Sequence, residues 1–152
     1  MATYKEIKGV TIQTLSEDPV LAGAAGGSWA SGGNLNEGVV GNAGFGTYTA
    51  GVSVGGFQPP YTAQVEEYNG SSWTTVTSVP AVADSMAACG PQTAAICIGG
   101  NTPPETANTE TYDGSSWTEV SNLNTARRLT QGMGTVYTSA LAVGGYTPPG
   151  RS

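Results

Sequence analysis

Two carboxylates, Glu66 and Glu110, each stand two residues before a tyrosine, Tyr68 and Tyr112. Paired acids are the machinery of glycoside hydrolysis, one protonating the leaving group and the other attacking or activating water. These two are 110 − 66 = 44 residues apart, in matching surroundings. Equivalent positions of a repeat suit a structural hydrogen bond to backbone donors at a sheet edge better than a catalytic pair. Glu67, Asp113 and Glu119 read as solvated. Cys89 and Cys97 are the only cysteines. Both read as packing residues, with a disulfide across paired strands as the alternative. The chain has no His, so Ser-His and Cys-His catalysis and His-ligated metal sites are excluded. No cofactor and no catalytic residue is expected.

Three proline pairs carry the binding expectation. Phe57-Gln58-Pro59-Pro60-Tyr61, Asn101-Thr102-Pro103-Pro104-Glu105 and Tyr146-Thr147-Pro148-Pro149-Gly150 vary around a fixed Pro-Pro step. Stiff loops with exposed aromatics on a β scaffold suit binding, through Phe57, Tyr61 or Tyr146. The plainer reading is that the prolines stiffen a connection and blunt a sheet edge.

These residues are positioned by a repeat. Trp29, Trp73 and Trp117 are 73 − 29 = 44 and 117 − 73 = 44 residues apart. Gly-Ser-Ser-Trp precedes the second and third at Gly70 and Gly114, and a degenerate Gly27-Ser28-Trp29 precedes the first. The pairs Gly55-Gly56, Gly99-Gly100 and Gly144-Gly145 keep nearly the same interval. A period of this length means one supersecondary unit copied and stacked.

Within a unit, the run ending at the glycine pair alternates large and small. Val52, Ile96 and Leu141 are large, Ser53, Cys97 and Ala142 small, and Val54, Ile98 and Val143 large. A period of two predicts a strand, with the small face close to a neighbouring sheet. Two β-prone runs then flank Asn69-Gly70 and Asp113-Gly114, which predicts hairpins with type I′ turns. Tyr68 with Trp73, and Tyr112 with Trp117, should lie across these hairpins and be buried between units. Leu35, Val79 and Leu123 follow the tryptophans by six residues and suit the connection to the next unit. Gln131–Val136 illustrates the strand that leads back to the next glycine pair. Each unit is therefore about four short strands, the make-up of a propeller blade. Helix signals are nearly missing at this density of Gly, Thr and Pro.

The order Arg127, apolar run, Gly144-Gly145, with Glu-x-Tyr-Asp/Asn-Gly and Trp in the earlier copies, resembles the Kelch repeat. The match covers residues 27–152. The resemblance implies an all-β fold of four-stranded blades around an axis. It departs from the family in its short period and in Val39 and Ala83, which stand where Arg127 supplies the basic residue. WD40, of similar period, is disfavoured by the lack of His and of a Trp-Asp pair. A galactose-oxidase-like copper enzyme is disfavoured because its His ligands are missing. The Gly-Ser-Ser-Trp-rich version, with the opening Met1–Val10, is similar to Kelch-like arrays in structural proteins of tailed bacteriophages, marine ones especially.

Only 11% of residues are charged, which with regular aromatic anchors fits an extracellular or virion β protein and not a disordered one. A net charge of −6 lacks the basic face that nucleic acid requires. No apolar run approaches the roughly 20 residues of a membrane-spanning helix, and no secretory signal is visible.

Residues 1–26 stand outside the repeat. Val10–Leu15 reads as a strand and Ala22–Gly27 as a joint. This stretch either closes the first blade or anchors the chain to a neighbour. Residues 27–152 carry about two blades and a half. A propeller needs at least four, so the chain belongs to a longer array, or copies complete one another's blades, or the units stack without closing. The expectation is a non-enzymatic virion component of a tailed phage, such as a tail fibre, tail-tip or decorating protein. It would be a homo-oligomer among other virion proteins, displaying its blades for assembly or for a host-surface glycan or protein. The alternative is a Kelch-type protein- or carbohydrate-binding module of a bacterial protein.

Overall fold

The computed structural model of the chain describes residues 32–147. The expected strand at 10–15, the joint at 22–27, Trp29, Pro148 and Pro149 lie outside them. Within them, ten short strands run in chain order with one 3-10 turn at Tyr137–Ser139. Strands β1 (Ala43–Thr47), β2 (Ala50–Val54), β3 (Val65–Tyr68) and β4 (Trp73–Val76) form a first sheet. Strands β5 (Ala87–Cys89), β6 (Ala95–Ile98), β7 (Thr109–Tyr112) and β8 (Trp117–Glu119) form a second. Strands β9 (Gln131–Gly134) and β10 (Ala140–Val143) form a two-stranded third. Every pairing is antiparallel between neighbours in sequence. The described residues form an all-β array of successive meanders, two of four strands and one of two.

The alternation of large and small residues builds the junctions. Val52, Val54, Val65 and Val79 cluster with Cys97 of the second sheet. Ile96 and Ile98, with Ala87 and Cys89, take Ala140 and Ala142 of the third. Each sheet thus seats its large β2- or β6-strand residues against the small slot of the next, as the pattern of Ser53, Cys97 and Ala142 predicts. Both cysteines are free and buried. Cys89 pairs with Ile96 and Cys97 with Ala88, so they sit diagonally on adjacent strands. Burial raises the thiol pKa at both positions, and at Cys97 the nearby Glu110 and Cys89 charges add to it.

The hairpin turns differ from expectation. Tyr68 pairs with Trp73 and Tyr112 with Trp117, leaving four residues in each loop instead of a two-residue type I′ turn. Gly70 and Gly114 do take positive φ, but the leading Asn and Asp do not need to. Their side chains organise the loop: Ser71 and Ser72 N–H donate to Asn69 Oδ1 at 3.0 Å each. Ser115 and Ser116 N–H donate to Asp113 Oδ1 at 2.8 Å each. An Asx side chain accepting from amides two and three residues on replaces the backbone turn. The Ser116 and Ser115 hydroxyls and amides hold the Asp113 carboxyl well below the usual carboxylate range. Asp113 is therefore exposed, as expected, and also a turn organiser.

The aromatic pairs lie across the hairpins, with ring centroids 5.0 Å apart for Tyr68–Trp73 and 4.6 Å for Tyr112–Trp117. Burial differs from expectation. Tyr112 is buried, but both tryptophans are half-buried. The indoles reach back to the preceding segment, Trp73 Nε1 donating to Gly33 O at 2.9 Å and Trp117 Nε1 to Thr77 O at 3.1 Å. An indole that must keep its N–H bonded to a surface carbonyl leaves part of its ring in solvent.

Candidate functional site

The glycine pairs aim the proline loops. Gly55-Gly56, Gly99-Gly100 and Gly144-Gly145 all take positive φ, which L side chains adopt only at a cost. Space requires glycine as well: a Cβ on Gly55 would lie 2.6 Å from Ala83 O, and one on Gly99 2.5 Å from Arg127 O. The chain thus leaves β2 and β6 against the backbone of the following unit. It then turns into the loops of Pro59-Pro60 and Pro103-Pro104, whose Pro-Pro bonds are cis and whose rings are exposed.

The loops join along one rim. Phe57 pairs with Val40 and with Tyr61, Asn101 with Asp84 and Glu105, and Tyr146 with Arg128, all as single bridges. The Phe57 and Tyr61 rings meet edge to face with centroids 4.9 Å apart. Asn101 Nδ2 donates to the Tyr61 hydroxyl at 3.3 Å, tying the first loop to the second. Arg128 Nε lies 3.4 Å from Glu105 Oε1, and its guanidinium carbon stands 5.0 Å from the Tyr146 ring centroid. The Arg128–Glu105 contact is an ion pair without hydrogen-bond geometry, since Nε has no hydrogen-bond partner. Phe57 and Tyr146 keep exposed faces. Sequence reasoning singled out Phe57, Tyr61 and Tyr146 but missed Asn101, Glu105 and Arg128 as links. The signal was available: Asn101 and Glu105 stand 44 residues after Phe57 and Tyr61.

The two carboxylates are brackets between units. Glu66 Oε2 accepts from Asn36 N–H at 2.9 Å and Oε1 from Glu37 N–H at 3.3 Å. Glu110 Oε1 accepts from Ala81 N–H at 3.0 Å. Burial raises the Glu110 carboxyl above its ordinary value, and the Ala81 bond pulls it back. Glu67, expected to be solvated, instead accepts a 2.8 Å hydrogen bond from the Tyr112 hydroxyl of the next unit. Burial, then this bond, raises the Tyr112 phenol pKa. Arg127 turns outward to donate from Nη1 to Gly144 O at 2.8 Å. Glu119 remains exposed. At the other end of the strands, Phe45, Thr47, Cys89, Pro91 and Thr135 line an open cavity of about 360 Å³. Among the described residues no three His, Cys, Asp or Glu side chains are grouped as a metal site would require.

No protein-family profile matches the chain, and no curated protein matches it. Among solved structures, that of YjhT is similar, with a TM-score of 0.64 at 18% identity. The likeness covers 82% of this chain and 43% of YjhT, so the chain spans less than half the length of that structure. At this identity the likeness shows the fold alone: an all-β arrangement of antiparallel four-stranded sheets.

Proposed function

We propose that the chain is a Kelch-like, propeller-forming structural protein of a tailed-phage virion, with no enzymatic role. In this reading it acts as a display scaffold in a tail fibre, tail tip or capsid decoration. The observation that carries the scaffold reading is the rim that runs from Phe57–Tyr61 through Asn101–Glu105 to Arg128–Tyr146. Asn101 bonds the Tyr61 hydroxyl, and Arg128 sits between Glu105 and the Tyr146 ring, so these groups tie neighbouring loops to one another and hold a surface in shape. The loops differ in chemistry on a constant backbone, as suits contact with other virion proteins or a host-surface protein or glycan. The virion assignment is supported by the Gly-Ser-Ser-Trp repeat and the low charge of the chain. Mass spectrometry of purified particles tests it. The polypeptide is expected in intact virions, and its absence there refutes the assignment.

A second reading is a protein- or carbohydrate-binding module of a bacterial protein. The edge-to-face pair of Phe57 and Tyr61 favours it, because an exposed aromatic beside rigid prolines is a ready stacking surface. Glycan-array binding that is lost in Phe57→Ala, with an unchanged fold, supports this reading. Binding that survives the substitution removes its basis.

A further inference from the structure

The two four-stranded sheets carry the same hairpin loop with a single chemical difference. Asn69-Gly70-Ser71-Ser72 in the first is Asp113-Gly114-Ser115-Ser116 in the second. Of all the asparagines in the chain, only Asn69 is followed by glycine. Residues 69–72 are exposed, and Gly70 has a φ of +95°. Asn69 Oδ1 accepts from Ser71 N–H and Ser72 N–H at 3.0 Å each, and from the Ser71 hydroxyl at 2.9 Å. Asn69 Nδ2 donates to Ser72 Oγ at 3.3 Å. Among the described residues nothing accepts the Gly70 N–H.

An asparagine side chain and the backbone nitrogen that follows it are one bond short of a closed ring. Glycine crowds that nitrogen least, because no Cβ stands beside it. When Gly70 N adds to Asn69 Cγ, negative charge develops on Oδ1. Three donors already point at that oxygen, the arrangement that stabilises a developing oxyanion. The Ser72 hydroxyl stands beside Nδ2, the nitrogen that must leave. The Gly70 N–Cγ bond forms and the Cγ–Nδ2 bond breaks. The Gly70 amide proton departs with Nδ2 as ammonia. Water then opens the cyclic imide at either carbonyl. Opening at Cγ gives aspartate. Opening at the backbone carbonyl gives isoaspartate, in which the chain runs through the side chain.

We infer that Asn69 converts to aspartate in the folded chain through this imide, and that the turn retains the aspartate form. Asp113 is the template for the product. Its Oδ1 accepts from Ser115 N–H and Ser116 N–H at 2.8 Å each, against 3.0 Å in the Asn69 turn, and its Oδ2 accepts from the Ser116 hydroxyl at 2.7 Å. A carboxylate takes such bonds more strongly than a neutral amide. The same donors hold the Asp113 carboxyl well below the usual carboxylate range. An acid re-forms the imide only when protonated, because it must lose water, so the turn keeps aspartate out of the reverse step. Isoaspartate has no such hold. Its added backbone methylene breaks the register that pairs Tyr68 with Trp73, and its carboxyl lies away from the Ser71 and Ser72 amides. It returns to the imide until it opens as aspartate.

The change is one-way, since the ammonia is lost. It adds one negative charge to a chain whose net charge is −6 and makes the first turn a chemical copy of the second. Strand β3 runs from the Pro59-Pro60 side of the first sheet to this turn. The new charge therefore lies at the far end of that sheet from the proline rim and leaves the rim contacts as they are. The inference stands on the turn alone and depends on neither the propeller nor the virion reading.

Peptide mapping by mass spectrometry tests this, on the full chain held folded at mildly alkaline pH and sampled over time. A parallel sample is held unfolded in urea. A glutamate-specific protease cuts after Glu67 and releases the turn, and fragmentation that separates aspartate from isoaspartate reads the products. In the folded sample the amide-to-acid mass change is expected at Asn69 and at no other asparagine. Its aspartate share should stand severalfold above that of the urea sample. Ser71→Ala removes one donor to Oδ1 and should slow the folded conversion severalfold while leaving the rate in urea unchanged. Asn69→Asp, made directly, should keep the β-sheet spectrum and the melting temperature of the parent. An Asn69 that survives in the folded chain while it converts in urea overturns the proposal. So does an equal isoaspartate share in the two samples, a folded rate indifferent to Ser71→Ala, or an Asn69→Asp chain that melts well below the parent.

Discussion

The Tyr112 hydroxyl, on a side chain buried in the second unit, donates a 2.8 Å hydrogen bond to Glu67 Oε1 of the first. Phe45 of the first unit also faces the Tyr112 ring, at 6.3 Å between centroids. One residue thus joins the two complete sheets by packing and by a charge-assisted bond. Tyr112→Phe should cost about 1–2 kcal/mol by losing the bond alone. Tyr112→Ala should cost roughly 3–5 kcal/mol through the cavity. Urea unfolding of Tyr112→Phe, Glu67→Ala and the double variant should show a coupling of about 1 kcal/mol. Additive effects would mean that the bond contributes nothing to the junction.

The tryptophans should matter less than fully buried rings. Trp73→Ala and Trp117→Ala each remove a half-buried indole and its bond to the preceding segment. A cost of about 2–3 kcal/mol is expected, below the upper range for core aromatics. Thermal unfolding of both variants checks this. Parent-like melting would make the indoles exposed platforms, better suited to ligand stacking than to holding units together.

Glu110 should impose a pH dependence. Its carboxyl is raised above the ordinary 4.5, first by burial, so the folded chain holds that proton more tightly than the unfolded one. Its stabilising contribution is full below about pH 4.5 and is lost as pH rises through the raised folded value. Glu110→Gln keeps an acceptor for Ala81 N–H and should flatten stability across that window. Glu110→Ala orphans the amide and should cost about 1–3 kcal/mol at neutral pH. Asp113 acts with the opposite sign. Its lowered pKa makes its contribution present above pH 3.8 and lost as pH falls further. Melting curves of Glu110→Gln and Asp113→Ala from acid to neutral pH separate the two, and a parent-like profile in both would refute the assignments.

Glycine substitutions should rank by what they meet. Gly99→Ala forces a Cβ against Arg127 O at positive φ, so about 2–5 kcal/mol is expected from strain and overpacking together. Gly144→Ala carries the same φ penalty in open space, so about 1–2 kcal/mol is expected in dilute solution. Urea unfolding of the two variants compares them, and equal costs would contradict the geometry.

The ion pair on the rim should be nearly silent in stability. Arg128 is partly exposed, and its contact with Glu105 lacks hydrogen-bond geometry. Glu105→Ala should therefore change stability by less than about 1 kcal/mol. A larger loss would mean that the loops hold the units together instead of being held by them.

Most of the architecture was legible because repetition supplies its own control. The spacing of Trp73 and Trp117 and of the glycine pairs located the strands and the boundary of each sheet. The large–small alternation at Val52-Ser53-Val54 and Ile96-Cys97-Ile98 foretold which face meets the next unit. The turns were misread because Asn-Gly and Asp-Gly serve two loop geometries. Only the pairing of Tyr112 with Trp117 shows that four residues intervene. Glu67 was misread for a related reason. It faces away from Glu66 on the same strand, and whether that face meets water or Tyr112 depends on the angle between sheets.

By itself, the sequence determined the all-β class, the period, the strand order within each unit and the structural role of Glu66 and Glu110. Each of these depends on residue types at short range or on identity between copies. The tertiary structure alone decided which loops touch, how deep the tryptophans lie and which apolar strand is left bare. These depend on how one sheet is rotated against the next. Identical side chains at Val54, Val65 and Val143 carry no mark in the sequence that the first two are buried and the third is exposed among the described residues.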